Sequence, residues 1–474
     1  MTALVLKLRS GVSLHETPDA DTTVGTSTHA ISLGRPSGAA RAALRLLAAD
    51  GATEDALEAQ MIAADGVTGV ATWYWYRKQL DDASLLACTL VTRSEPVATL
   101  VPVKRGLGLP LRRVDPSASI RLSRFACCRS NGKQLVVETP LSARHVVLHG
   151  ETGAVALASL TQPRTAAELP SVIAGLSAEA AALLVGLFSA AALLADSDDD
   201  DGLGQWELHD LLFHTRSRLG RHDNPFGGTF RFHDIRPPQP ALKPTMSGAA
   251  IALHRPDLAA VARKDPSLTA VLSARRSIRR YGEPPIDVRE LGEFLYRVAR
   301  VDAMLAVDGT RGRHYEVTRR PYPSGGATYD LELYLTVNRC LGLESGLYHY
   351  QPLDHRLYCL APRNAHVEAL LRGAQGAAKM TFEPQVVITL ASRFERVSWK
   401  YASMAYATVL KNVGVLYQTM YLVATAMRLA PCALGGGDAD LFAAAAGTSY
   451  YKETSVGEFL LGSYPGASDC EPST

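Results

Sequence analysis

Cysteine is scarce in this chain, and nothing in its placement pairs it. The seven residues, Cys88, Cys127, Cys128, Cys340, Cys359, Cys432 and Cys470, are odd in number, scattered and free of any C-x-x-C spacing. That argues against a disulfide framework and fits reduced thiols in a cytoplasm. Charge of either sign is not in excess. A formal net charge of +2 argues against a dedicated nucleic-acid binder. A long hydrophobic run is missing as well. The longest apolar stretch, residues 180–195, falls short of the about 20 residues that a bilayer span needs and reads as a buried helix. The opening Met1-Thr2-Ala3-Leu4-Val5-Leu6-Lys7 has no apolar run followed by a cleavage site. There is no Walker-type phosphate loop, no G-x-S-x-G elbow around Ser189, Ser324 or Ser455, and no Rossmann spacing at Gly435-Gly436-Gly437. The expectation is a soluble, cytoplasmic protein with no nucleic-acid or membrane partner.

What is present is an ordinary globular composition, 47% hydrophobic and 20% charged over 474 residues. That length exceeds one core and predicts two or three domains. The sharpest change in composition is Asp196-Ser197-Asp198-Asp199-Asp200-Asp201-Gly202, where like charges repel and resist packing. It predicts an acidic linker over residues 196–203, with domains at 1–103, 104–195 and 204–474. Arg236-Pro237-Pro238-Gln239-Pro240 marks a softer boundary of extended backbone.

Before the linker, one order of elements occurs twice. A strand at 30–33 precedes helical patterns at 39–49, 52–63 and 73–80, then strands at 85–93 and 97–103. Strands at 134–138 and 145–148 precede helical patterns at 154–160, 166–173 and 177–194. Short helices with a small sheet predict two winged-helix-like modules, an echo in architecture without detectable repeat in sequence. Between them, Lys104, Arg105, Arg112, Arg113, Arg121, Arg124, Arg129 and Lys133 face a single acid, Asp115. Such a stretch fits a solvated basic loop, DNA, or an acidic peptide added as a strand.

After the linker the pattern predicts helices at 206–214 and 288–298, an alternating strand at 331–337 and further strands at 346–350, 385–392 and 457–461. One long helix is predicted from about 398 to 428, broken by the glycines at 435–437. This is an α+β core around a central helix. Two stretches in it carry chemistry. Arg275, Ser277 and Arg279 alternate along Ala274-Arg275-Arg276-Ser277-Ile278-Arg279-Arg280-Tyr281, so an extended backbone points all three the same way. Guanidinium forks hold a phosphate by charge-assisted bonds. The same run also fits a solvated basic surface. Tyr322-Pro323-Ser324-Gly325-Gly326 is a turn that exposes backbone amides. Together they point to a phosphorylated, flat cofactor.

These residues resemble a known family. Arg275-x-Ser277-x-Arg279 is similar to the flavin-phosphate motif of the nitroreductase fold, and Pro323-Ser324-Gly325-Gly326 to its flavin-contacting turn. Gly346-Leu347-Tyr348-His349-Tyr350, Trp399-Lys400-Tyr401 and Val456-Gly457-Glu458-Phe459-Leu460-Leu461-Gly462, with residues 206–218, resemble the SagB-type or McbC-like flavin dehydrogenases. Those enzymes oxidise azoline rings to azoles on ribosomally made peptides. The resemblance implies a nitroreductase-like domain binding FMN at a homodimer interface. Arg275, Ser277 and Arg279 would hold the phosphate and ribityl chain. Pro323, Ser324, Gly325 and Gly326 would reach the flavin from the other subunit, and Gly435 and Gly436 would lie near its reactive edge. The preceding modules are similar to leader-peptide recognition modules, which implies a precursor peptide as substrate and association with a cyclodehydratase. One departure concerns the basic pair that many nitroreductases carry near the C-terminus: only Lys452 precedes Gly457-Glu458 here.

Oxidising an azoline requires a base for the ring proton beside the carbonyl and a hydride acceptor, which the flavin supplies. Lys400-Tyr401 matches the family's Lys-Tyr pair. A phenol is a poor base and an ammonium none, but proximity and burial can change both. On a helix the two would point about 100° apart. As a lone pair they also fit amphipathic packing. His209, His214 and His222 do not stack on one helical face, and no metal site is expected. The leading expectation is an FMN-dependent peptide-azoline dehydrogenase. The alternatives are an NAD(P)H-dependent flavin reductase of the nitroreductase type and a non-catalytic peptide-binding scaffold.

Overall fold

The computed structural model describes residues 2–466 apart from 27–28, 94, 105, 107, 110–113 and 196–201. Arg105, Arg112 and Arg113 of the basic stretch, most of the acidic run and Cys470 lie outside the described residues. The chain forms two compact units, residues 1–224 and 225–474.

In the first unit, a helix–turn–helix grows from capped, alanine-rich segments. Ser37 Oγ accepts from Ala40 N to start the helix Gly38–Ala48, whose buried Ala39, Ala40, Ala43, Leu44 and Leu47 form one face. Thr53 caps Glu54–Asp65 in the same way. Gly66 ends that helix and precedes Val67–Asp82 at a φ of 69°, a conformation that suits glycine. A three-stranded sheet, Ser13–Glu16, Thr22–Thr26 and His29–Gly34, completes the module.

The two expected modules are fused. One antiparallel sheet runs in the order Thr2–Leu8, Leu86–Thr92, Glu95–Pro102, Arg144–Leu148, Leu135–Glu138, Cys127–Ser130. The seam is the pairing of Ala98 with Leu148 through Pro102 with Arg144. A single buried cluster extends from Leu6 to Leu194 across both halves.

Residues after the acidic run also pack here rather than with the second unit. Arg216 Nη2 donates to Glu138 Oε2 at 2.5 Å, and Arg221 Nη1 to Pro140 O at 2.7 Å. Burial pushes the Glu138 carboxyl up, but bonds and charge from Arg129 and Arg216 outweigh it and hold the group below its ordinary range. Arg124 donates to the Trp206 and Leu203 carbonyls at 2.9 and 2.6 Å. Two members of the basic stretch, Arg124 and Arg129, are exposed yet bonded to other residues of the unit.

The second unit is built on a seven-stranded antiparallel sheet. Its order is Ala250–Ala252, Arg356–Pro362, Gly346–Gln351, Leu331–Val337, Val386–Arg393, Glu453–Ser463, Leu429–Leu434. The predicted alternation of Leu331–Val337 is real, yet all seven residues are buried. Leu331, Leu333, Leu335 and Val337 join one core, and Tyr334 joins a second core on the opposite face. The helices Val288–Ala299 and Ala405–Ala426 cover the first face, and Ala365–Ala378 and Ala439–Ala446 the second. Glu332 is buried among them because Arg393 and His349 reach its two oxygens at 3.4 and 3.2 Å.

The long helix expected over residues 398–428 is interrupted. Phe394–Ser398 is helical, Tyr401–Ala402 pairs as a strand with Gly227–Gly228, and the helix proper is Ala405–Ala426. Phe230 N donates to Lys400 O at 3.0 Å and Ser403 sits at a φ of 59°, so tertiary pairing replaces the helical ladder here. Among the described residues, no helix is long and apolar enough to cross a membrane.

Candidate functional site

The phosphate-type motif lies outside any helix or strand. The helix Leu268–Ala274 stops at Arg275, and Ile278 N donates to Pro431 O at 2.8 Å, tying the segment to the end strand of the sheet. Arg275 and Ser277 are half-buried and Arg279 is exposed. Ser277 Oγ meets Tyr421 Oη at 2.7 Å, and that phenol accepts from Ala433 N at 2.8 Å. The Arg275 guanidinium lies 5.3 Å over the Tyr421 ring. Burial raises the Cys432 thiol, while Arg279 and the Ser277 hydroxyl favour its thiolate. Two guanidinium groups and a hydroxyl therefore converge at one end of the strand Leu429–Leu434. Gly435 and Gly436 follow at its end, exposed, and a Cβ on either would meet no heavy atom within 4 Å. That opening leaves both backbones accessible to a planar ligand.

The second cluster surrounds the predicted turn. Gly326 adopts φ 63° and ψ 20°. Gly325 N donates to Asn412 Oδ1 at 2.9 Å, and Asn412 Nδ2 to Asp330 Oδ1 at 2.7 Å. Ser392 Oγ donates to the other Asp330 oxygen at 2.7 Å. Burial raises the Asp330 carboxyl, opposed by those hydrogen bonds. A Cβ on Gly325 would fall 2.4 Å from Thr408 Cγ2. A Cβ on Gly326 would fall 2.5 Å from Tyr401 Oη and 2.6 Å from Lys400 Nζ. Gly325 is thus pressed close to Thr408, Gly326 takes a positive φ that favours glycine, and the turn lies directly against the Lys-Tyr pair.

Lys400 and Tyr401 are not the helical neighbours that sequence spacing implied; the break before Ala405–Ala426 lets both side chains reach Gly326. Lys400 Nζ lies 5.2 Å over the Tyr401 ring and 5.5 Å over those of Phe230 and Tyr315. Burial pulls the Lys400 amine below the ordinary lysine value and pushes the Tyr401 phenol above that of tyrosine. Desolvation disfavours the charged form of each.

The two clusters occupy different stretches of one helix. Thr408 touches the turn and Tyr421 the phosphate-type segment, about 20 Å apart along the axis at the helical rise. The chain joins Lys400, Tyr401 and Ser324–Gly326 in one place, and Arg275, Ser277, Arg279, Gly435 and Gly436 in another.

Sequence reasoning missed several residues here. Tyr315 Oη donates to Gly326 O at 2.5 Å and lies 3.3 Å from Lys400 Nζ. Glu458 sits where a Cβ on Gly437 would strike its carboxylate at 2.2 Å, and burial raises its carboxyl. Asn412 did leave a signal, a polar residue on the apolar face of Val409, Val413 and Leu416. The histidines go to separate surroundings. His209 stands with Glu207 and Asp210 in an exposed group, His214 has its ring 5.7 Å from that of Trp206, and His222 Nε2 meets Arg218 O at 2.9 Å.

Comparison with known proteins agrees with this layout. The profile of the ThcOx helix turn helix domain matches residues 1–109, that of the cyanobactin oxidase ThcOx residues 120–223, and that of the nitroreductase family residues 272–462. The nitroreductase-family protein MJ1384 of Methanocaldococcus jannaschii is 30% identical over 190 residues, 40% of this chain and 85% of that protein. The microcin B17-processing protein McbC of Escherichia coli is 34% identical over 113 residues, 22% of this chain and 40% of that protein, so the match spans less than half of McbC. The solved E. coli microcin synthetase McbBCD complex with truncated pro-MccB17 aligns at 20% identity and a TM-score of 0.34, covering 54% of this chain and 87% of that one. On its coverage of the archaeal relative the chain belongs to the nitroreductase family, and the ThcOx and McbC matches put it with the McbC-like oxidases of that family.

Proposed function

We propose that the protein is an FMN-dependent dehydrogenase that oxidises thiazoline or oxazoline rings to thiazole or oxazole on a ribosomally made precursor peptide. The observation that carries this is the packing of Lys400 Nζ and Tyr401 Oη against the Gly326 turn. A flavin reductase fed by a diffusible nicotinamide has no need of a proton acceptor there. The McbC match supports the reading, since that protein is named for processing microcin B17.

The residues present fit FMN. The Arg275, Ser277 and Arg279 cluster offers charge-assisted donors for its phosphate, and the open backbones of Gly435 and Gly436 leave room for a flat ring. Bound there, FMN supplies the two-electron acceptor that the side chains lack. Ser324, Gly325 and Gly326 of a second copy of the chain shape the other wall and bring that copy's Lys400 and Tyr401 to the flavin. Lys400, its amine drawn toward neutrality by burial, takes the proton from the ring carbon beside the carbonyl. Tyr401, held protonated by burial, acts as a neutral hydrogen-bond donor that orients the peptide. The first unit recognises the leader of the substrate and performs no chemistry. Its helix–turn–helix and adjoining sheet supply a strand edge for a peptide.

The test mixes the FMN-loaded protein anaerobically with a thiazoline-bearing peptide. The expected result is bleaching of the oxidised flavin and loss of two hydrogens from the peptide. Steady NAD(P)H consumption with a small nitro compound, and no reaction with the azoline peptide, would instead identify a flavin reductase.

A further inference from the structure

Tyr315 belongs to none of the motifs, yet it touches both Lys400 and the Gly326 turn. It is 4% exposed, on the segment leading into the strand Val317–Arg319. Its ring is held from two sides, 5.3 Å from the Arg396 guanidinium and 5.8 Å from the Trp399 ring. Arg396 cannot swing away, because its fork donates to the carbonyls of Gln239, Glu316 and Thr328 at 2.5, 3.1 and 2.9 Å. The Trp399 indole is likewise fixed by a 2.7 Å bond to Arg236 O. The Tyr315 hydroxyl is therefore a rigid group. Its proton goes to Gly326 O at 2.5 Å, so toward Lys400 Nζ, at 3.3 Å, the oxygen can only accept.

We propose that Tyr315 is a positioning residue for Lys400: its hydroxyl oxygen accepts from the amine and aims it beside the Gly326 turn. This rests on the reading of Lys400 as the proton acceptor. An unbranched lysine stem with four rotatable bonds does not hold its nitrogen in place unaided, and a general base must be within hydrogen-bond reach of its proton. Tyr315 does not compete for that proton. Burial pushes its phenol up to about 12, with Tyr401 adding to the shift and Arg396 opposing it. The other ionisable groups around Lys400 are Tyr401 next to it in the chain, Arg396 behind the Tyr315 ring, and His314 and His233, whose rings adjoin Phe230 and Trp399. Among the described residues no carboxylate pairs with the Lys400 amine, so the Tyr315 oxygen is the acceptor that favours its protonated form.

The test reads Lys400 directly. The FMN-loaded protein is trace-labelled with acetic anhydride across the lysine titration range, and acetylation of the Lys400 peptide is followed by mass spectrometry. Tyr315→Phe keeps the ring and removes the acceptor. The labelling midpoint is expected to fall by about one pH unit, the scale of one bond to a charged group. With an azoline peptide, the midpoint for flavin bleaching should fall with it. The high-pH limiting rate should also drop, by about 10-fold or more, because the amine is no longer aimed. meta-Fluorotyrosine at position 315 keeps the shape and weakens the acceptor, and should move the labelling midpoint the same way by less. An unmoved or raised midpoint in the Phe variant overturns the proposal; if that variant does not fold, an unmoved midpoint with fluorotyrosine does so. A lowered midpoint in a protein that ignores azoline peptides would uphold Tyr315 as the partner of Lys400 and overturn the assigned reaction instead.

Discussion

At the scale of single residues, burial moves two neighbours, Lys400 and Tyr401, each toward its neutral form. A base must be deprotonated to act, so the rate of flavin bleaching by an azoline peptide should rise with pH. Its midpoint should lie below the 10.5 of an ordinary lysine. Lys400→Ala should retain FMN and lose about 10²–10⁴-fold in that rate, the usual contribution of a positioned base. Tyr401→Phe should retain FMN, lose less, and keep the rising pH profile. A Tyr401→Phe variant as slow as Lys400→Ala, with a flat profile, would reassign the base to the phenol. Arg275, Ser277 and Arg279 stood out in the sequence because alternate spacing is a local pattern. Tyr315 did not, since it follows Gly309-Thr310-Arg311-Gly312-Arg313-His314, a run without periodicity, and its partners Gly326 and Lys400 are distant in the sequence.

At the scale of elements, most of the strands and helices followed the hydrophobic period, and the informative failure is at residues 398–404. No glycine or proline interrupts Ser398-Trp399-Lys400-Tyr401-Ala402-Ser403-Met404, so nothing local breaks the helix. Pairing of Tyr401–Ala402 with Gly227–Gly228, residues far upstream, overrides it. The opposing element is the turn, and Gly326→Ala tests the contact between them. A side chain at φ 63° is strained, and its Cβ would displace both Lys400 Nζ and Tyr401 Oη. Thermal stability should fall modestly and turnover by about 10²-fold, the cost of a small misplacement at a reacting centre. Full activity in that variant would show that the pair need not sit against the turn.

The sheet makes a separate prediction. Burial alone would raise the Glu332 carboxyl, but the bond from His349 and the charges of His349, Arg393 and Arg320 hold it down to about 2. A carboxylate with a depressed folded-state pKa adds stability above its unfolded value, here 4.5, and loses it as the pH falls toward about 2. Glu332→Gln should therefore destabilise at neutral pH by about 3–5 kcal/mol, the usual cost of breaking a buried pair. It should also flatten the acid limb of a denaturant-midpoint-against-pH curve. An unchanged acid limb would place the acid sensitivity elsewhere.

At the scale of the whole molecule, what the sequence could not convey is that the two groups of site residues sit at different levels of one helix. Thr408 adjoins the turn and Tyr421 the Arg275 segment, about 20 Å apart. The family resemblance implies that the turn serves the flavin of a second subunit. Because Lys400 and Tyr401 pack on that same turn, they must travel with it. Each complete site would then take Arg275, Ser277 and Arg279 from one copy and Lys400 and Tyr401 from the other. In a two-fold dimer the consequence is sharp. Arg275→Ala alone should lose flavin and activity, and Lys400→Ala alone should keep flavin and lose activity. Mixed in one dimer, the two variants should restore one intact site, built from the Arg275 of the Lys400→Ala copy and the Lys400 of the Arg275→Ala copy. Co-expression under two affinity tags, with isolation of the mixed species, should therefore give up to about half the wild-type rate per dimer. If the site lay within one copy, every site in the mixed dimer would carry one lesion. The isolated heterodimer would then be as inactive as either parent, and shared construction of the site would be ruled out.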